Sequence, residues 1–270
     1  CWQVYWAHLG LFFFTAAVTV VAHEWFSTVE RNYLDGLNLR PFFDDTTRQL
    51  LGLFTLTYVP NYFDILPMYL VILLMVPVVV ALQRVHVALA IGFCLLLYTL
   101  TWVFDLGFPA EPWSDRPWFF NPLAWQLLFF TGFMLARGWL PMPPFRPWLL
   151  LLAGAYVLLM VPLSRWQIYL QVPTLQALHD WLWLRDHPQP GIFKTNHHPL
   201  RYLHILALGY LAVWLLRGRE QRLLAWPWRI VVKVGQQALA TFLAGMALAW
   251  ILTIALDQLR RDSLTVAAVN

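Results

Sequence analysis

Charge is what this sequence has least of. Lysine, arginine, aspartate and glutamate together make up 12% of the 270 residues, and only 14 are acidic. A soluble domain carries roughly twice that share, so a water-exposed globular fold is excluded. Cysteine is nearly absent. Cys1 opens the chain and Cys94 lies inside an apolar run, which leaves no disulfide framework and no thiolate metal spacing. Histidines occur at 187, 197, 198 and 204, but no HxxxH pair is among them, and no metal is expected. Internal repeats, low-complexity tracts and a signal-peptide cleavage pattern are also missing. The net charge of +4 is small, and where the charges fall along the chain matters more. It is not read as affinity for nucleic acid.

Apolar residues dominate instead. Hydrophobic side chains account for 60% of the chain and aromatics for 17%, with 16 tryptophans. A spanning helix needs about 20 mostly apolar residues. Seven such runs are expected, at 4–22, 62–82, 86–105, 122–140, 148–163, 200–216 and 234–256, which makes the fold an all-α polytopic transmembrane bundle in the lipid bilayer. The stretch 47–59 is too short and too polar at its start to span, and it is expected to lie in the interface or to re-enter partway. Alternate connections hold Arg84, then Arg137 and Arg146, then Arg217, Arg219, Arg222, Arg229 and Lys233, with Glu220 the one acid among them. By the positive-inside rule this set is cytoplasmic. The first residues are then inside, and the long connections 23–61, 106–121 and 164–199 face outward. Long loops on one face of a rigid scaffold tend to hold function. Because residue 1 is not methionine and both ends run into apolar sequence, the chain reads as one membrane-embedded domain over 1–270, incomplete at both ends.

Polar residues at helix ends are the candidates for chemistry. In "YVPNYFDILPMYL", Asn61 would cap a helix and Asp64 would act as the acid of a capping box, about 5 Å inside the cap. The other reading is a catalytic carboxylate. Pro67 is expected to kink this helix. In "NPLAWQLLFFTGF", Asn121 and Pro122 make a helix start. Gln126, beside Trp125, is either an interhelical hydrogen bond or a binding group. In "KTNHHPLRYLHILALGYL", Asn196 or His198 would cap the helix that Pro199 opens, and Lys194 precedes it. Arg201 and His204 share one face. Arg201 either snorkels to the interface or serves a site. In "KVGQQALATFLAGM", Gln236 and Gln237 open the last helix. His8 and His23 read as interfacial. The outward polar residues are expected to gather in one wet cavity.

These four stretches together resemble OpgC proteins, bacterial inner-membrane enzymes that add succinyl groups to osmoregulated periplasmic glucans, within the acyltransferase-3 superfamily. The resemblance covers essentially the whole chain. His197 departs from it, standing where an apolar or small residue is expected. The resemblance implies about ten spanning helices in the complete protein, two of them ahead of residue 1, with a central histidine in the first. It implies a multi-pass protein of the inner membrane, no permanently bound cofactor, succinyl-CoA as cytoplasmic acyl donor and a periplasmic glucan as acceptor. Asp64 would then orient a histidine. Arg201 or Lys194 would bind the succinyl carboxylate or the CoA phosphates, and His204 would join the catalytic group. Asn61, Asn121, Trp125, Gln126, Asn196, His198 and Gln236 would line the substrate sites. Trp113 and Trp118 would stack on sugar rings or belong to the interfacial aromatic belt. The rival readings are a transporter of a glycan or an anion, an O-acetyltransferase of another surface polysaccharide, and a scaffold subunit without chemistry.

Overall fold

In a computed structural model the chain is helical, with no strand among the described residues, which are 1–26, 32–182 and 192–259. Seven long helices carry the apolar sequence: α1 (Trp2–Phe26), α2 (Ile65–Val85), α3 (Val87–Phe104), α4 (Pro122–Ala136), α5 (Pro147–Leu163), α6 (Pro199–Leu216) and α7 (Ala238–Gln258). Shorter helices are named by their residues. Among the described residues five helices, α1, α2, α3, α6 and α7, are long and apolar enough to cross a membrane. α4 and α5 are also apolar but have 15 and 17 residues. At ~1.5 Å per residue they reach about 23 and 26 Å, short of a hydrocarbon core of about 30 Å. The all-helical, multi-pass reading therefore stands on five helices, and two of the seven expected spans fall below full length. Pro67 sits at the third position of α2. No intrahelical acceptor exists for an N–H there, so the expected kink has no such cause; the proline inside the helix is Pro77.

Close contacts divide the chain into two units. The first takes in the described residues of Cys1–Val78, Gly107–Pro122 and Pro227–Asn270. Its core joins Leu9, Phe12 and Ala16 of α1 to Leu53, Tyr58, Phe63, Ala110 and Trp118, with Leu239, Phe242 and Met246 of α7 packed against them. Further along the same helices, Trp250 Nε1 donates to Thr19 Oγ1 at 2.9 Å, and Ile254 meets Ala22 and Tyr33. Contacts therefore advance in step, and α1 and α7 run in the same direction.

The 32–63 segment folds back along α1. Tyr5 Oη donates to the Phe54 carbonyl at 2.8 Å. The Phe12 ring lies 4.9 Å from Phe42 and 5.7 Å from Phe63. Phe12 is 14 residues before Phe26, or about 21 Å along the helix. The segment is built from three short helices, Tyr33–Gly36, Arg40–Asp44 and Thr46–Thr55. Asn32 caps the first by accepting the Leu34 and Asp35 N–H groups, and Asp45 caps the third by accepting that of Arg48. Gly52 is required there, because a Cβ would come within 2.8 Å of the Tyr58 Cβ.

The second unit is Val79–Leu106 and Leu123–Trp226. Side-chain hydrogen bonds to backbone carbonyls hold its helices together. Gln126 Nε2 of α4 donates to the Cys94 carbonyl of α3 at 2.7 Å, and Tyr156 Oη of α5 donates to the Leu200 carbonyl of α6 at 2.8 Å. Thr131 and Tyr202 share a hydrogen bond of 2.8 Å between α4 and α6.

Candidate functional site

The polar residues singled out in the sequence divide between the two units. In the first unit, Asp64 immediately precedes α2, and its carbonyl accepts the Met68 N–H, as an N-cap residue's does. Its carboxylate does not turn back onto the helix in a capping box. Oδ2 accepts the backbone N–H of Phe120 at 2.6 Å, with Asp64 3% exposed. Asn61 is not the cap either. Its Nδ2 donates to the Gly36 carbonyl at 3.3 Å and its N–H to that of Leu37, so it ties the 32–63 segment to itself. Asn121 is buried just before Pro122, and its Nδ2 lies 3.7 Å from where a Cβ on Gly107 would stand. Gln236 is exposed at the end of helix Trp228–Gln236, and it makes no hydrogen bond to this group.

The 107–121 loop reaches this group through a cluster that sequence reasoning missed. Glu111, 5% exposed, is held by Arg116 through Nη2 at 2.6 Å and Nε at 3.1 Å, by Ser114 Oγ at 2.7 Å and by Asn38 Nδ2 at 2.7 Å. Arg116 Nη2 also donates to the Val59 carbonyl at 2.8 Å. Burial works to raise the Glu111 carboxyl, but the bonds from Arg116, Ser114 and Asn38 outweigh it and hold the group below the usual carboxylate range. Pro109 and Pro117 form an isolated antiparallel bridge in this loop. Asn38, Leu56 and Tyr62 all take left-handed backbone, with φ of 56°, 58° and 71°. For Leu and Tyr that geometry costs roughly 1–2 kcal/mol each, and such strain gathers where the surroundings impose a shape. Of the two candidate sugar platforms, Trp118 is 3% exposed and has no free face. Trp113 is 43% exposed and lies 5.7 Å from Tyr58.

His8, expected at the interface, is set against protein. It is fully buried in α1, edge-on to Phe63 at 6.5 Å, and neither ring nitrogen has a hydrogen-bond partner.

In the second unit Lys194, Asn196, His198, Arg201 and His204 lie in and just before the first turns of α6, and Trp125 of α4 reaches this stretch while Gln126 turns to α3. His198 is the N-cap, its Nδ1 accepting the Leu200 N–H at 3.2 Å, and its ring meets Trp102 at 5.6 Å. Asn196 Nδ2 donates to Asp105 Oδ1 at 3.3 Å. Trp125 Nε1 donates to the Lys194 carbonyl at 2.9 Å, while the Lys194 side chain is exposed. Gln126 makes the interhelical bond to Cys94 described above, and its Oε1 is buried without a partner. Arg201 is half-buried and has no ion pair or hydrogen-bond partner among the described residues. His204, one turn on, lies 6.3 Å from the Tyr156 ring.

His197, a departure from the sequence pattern, packs within this unit against Trp125 and Tyr202. It is fully buried, with φ of 46° and both ring nitrogens unpartnered. Its ring lies 4.3 Å from Trp125, and its carbonyl accepts Tyr98 Oη at 2.9 Å. Burial lowers its pKa to about 4, with Arg201 and His198 adding to the effect, so the imidazole is neutral at physiological pH. Among the described residues no group of three or more His, Cys, Asp or Glu is placed to hold a metal ion; His187 lies outside them.

A family model described as OpgC protein matches the chain over residues 1–270. The chain belongs to the OpgC family. No curated protein and no solved structure matches it. OpgC membership points to an acyltransferase-type, glucan-modifying membrane enzyme, and the apolar helices agree with a multi-pass membrane protein.

Proposed function

We propose that the chain acts as a bacterial inner-membrane O-acyltransferase. It moves a succinyl group from cytoplasmic succinyl-CoA to a hydroxyl of a periplasmic glucan. The OpgC family match over the whole chain carries this reading. The first residues of the chain lie on the cytoplasmic side, α4 and α5 complete seven spans, and no cofactor is permanently bound.

The reaction joins the sugar oxygen to the thioester carbonyl carbon and breaks the carbon–sulfur bond. The hydroxyl proton leaves through a base, and the oxyanion formed on the way needs hydrogen-bond donors. Arg201 is the residue best suited to the acyl group's free carboxylate. A half-buried guanidinium without an anionic partner is costly, and a carboxylate satisfies it with paired hydrogen bonds. His204, on the same face of α6, serves proton transfer, and Lys194 adds positive charge at the start of that helix. Gln126, Asn196, Asn121 and Asn61 are amides suited to donate to sugar oxygens or to the oxyanion. Asp64 orients a base, as the acid of a catalytic triad does. Trp125 and Gln236 complete the binding residues, and His198 fixes the first turn of α6.

Arg201→Ala tests the assignment when the complete protein is assayed with succinyl-CoA and with acetyl-CoA. A carboxylate contact predicts a raised KM for succinyl-CoA and little change for acetyl-CoA, which has no carboxylate to lose. Equal losses with both donors, at normal membrane levels, would remove Arg201 from acyl recognition.

A further inference from the structure

Between α6 and α7 the chain forms a nine-residue helix, Trp228–Gln236, with the sequence WRIVVKVGQ. At about 100° per residue, Arg229, Lys233 and Gln236 fall on one side. Trp228, Ile230, Val231 and Val234 fall on the other. The apolar side is uncovered: Trp228 is 54% exposed, Ile230 54%, Val231 61% and Val234 46%. A segregated apolar face on a helix needs something to bury it. At ~1.5 Å per residue the helix is about 13 Å long, too short to enter the bilayer end-on and cross it. Its neighbours in the chain decide where it lies. α6 ends at Leu216 and α7 begins at Ala238, and both are long and apolar enough to cross a membrane. The helix is thus tethered at the level where spanning helices leave the hydrocarbon.

We propose that helix Trp228–Gln236 lies flat in the headgroup layer and binds anionic phospholipid, its apolar face at the acyl boundary and Arg229 and Lys233 against headgroup phosphates. Charge complementarity selects that partner. The preceding connection adds Arg217, Arg219 and Arg222, and its one acid, Glu220, is engaged by the Gly218 N–H at 2.9 Å. Aromatic residues precede the helix in the chain. Trp226 is 79% exposed just ahead of the helix, and the Arg217 guanidinium stands over the Trp214 ring at 4.4 Å. Cationic amphipathic helices with tryptophan at their apolar edge are built for this position, and basic segments beside spanning helices attract anionic lipid.

The test uses the complete protein in nanodiscs of phosphatidylcholine with phosphatidylglycerol, with Cys1 and Cys94 replaced. Spin labels are placed at Val231→Cys and Gln236→Cys, and their collisions with oxygen, which concentrates in lipid, are compared with those of a water-soluble nickel chelate. The Val231 label meets oxygen preferentially, and the Gln236 label meets nickel. In parallel, phosphatidylglycerol co-purifying with the protein falls by about fivefold for each cation lost in Arg229→Gln and Lys233→Gln. A Val231 label open to nickel, or shielded from both reagents as beneath a protein partner, overturns the proposal. So does unchanged phosphatidylglycerol in the two variants, or a loss of free coenzyme A binding in its place.

Discussion

Asp64 Oδ2 lies 2.6 Å from the Phe120 nitrogen, so the residue before α2 and the loop before α4 form one hydrogen-bonded unit. Removing the acceptor takes the partner from a partly buried N–H, which costs roughly 1 kcal/mol. Asp64→Ala is therefore expected to lower the melting temperature in detergent by several degrees, at roughly 2–4 °C per kcal/mol for a chain of this size. Asp64→Asn keeps an oxygen there and stays close to wild type. The same Asn variant separates structure from chemistry: the proposed orienting role requires it to lose succinylation despite normal stability.

Glu111 and Arg116 give a pH dependence. The folded carboxyl titrates below its unfolded value because Arg116, Ser114 and Asn38 outweigh burial. A depressed carboxylate contributes stability that is present above the unfolded pKa, about 4.3, and is lost as pH falls through the folded value. Glu111→Gln should thus be less stable than wild type at neutral pH, by about 1–3 kcal/mol for the charged hydrogen bonds lost. The gap should close as pH is lowered below 4.3. Melting curves taken across that range check it, and a gap that persists in acid contradicts it.

His197 adds to the same acid-side loss, over a higher pH window. Its folded pKa is about 4, against about 6.5 unfolded, so the unfolded chain binds the extra proton between those values. Stability then falls as pH drops from 6.5 to 4. His197→Phe keeps the ring against Trp125 and should flatten that part of the curve. A slope unchanged in His197→Phe would place the titration elsewhere.

His8 carries two buried nitrogens without partners. If packing is its whole role, replacing it with a ring of similar shape recovers the desolvation cost. His8→Phe should raise the melting temperature, with roughly 1–3 kcal/mol regained. A destabilised variant would show that the imidazole is hydrogen-bonded in the membrane.

Helices were legible because an apolar run long enough to span has few other fates. All seven runs became helices, and boundaries moved by a few residues at Trp2–Phe26, Ile65–Val85, Pro122–Ala136 and Ala238–Gln258. The start of α6 was legible from Pro199, which left Asn196 or His198 as its cap, and the cap is His198. The fold-back of residues 32–63 along α1 was not, because it depends on Phe42, Tyr58 and Phe63 finding Phe12 far away in sequence. The Glu111 cluster was hidden for a related reason. Glu111 and Arg116 are five apart in a loop, and their partners Asn38 and Val59 are more than 50 residues away. Burial of His8 left no trace either, since a helix that is apolar all round does not reveal its protein-facing side.

Release of coenzyme A tests the account most directly. The complete protein is incubated with succinyl-CoA, with and without a periplasmic glucan, and free thiol is measured beside ester-linked succinate on the glucan. An acyltransferase frees one thiol for each succinyl ester formed, and only when the glucan is present. Glucan that crosses the membrane, with neither thiol released nor ester formed, would contradict it.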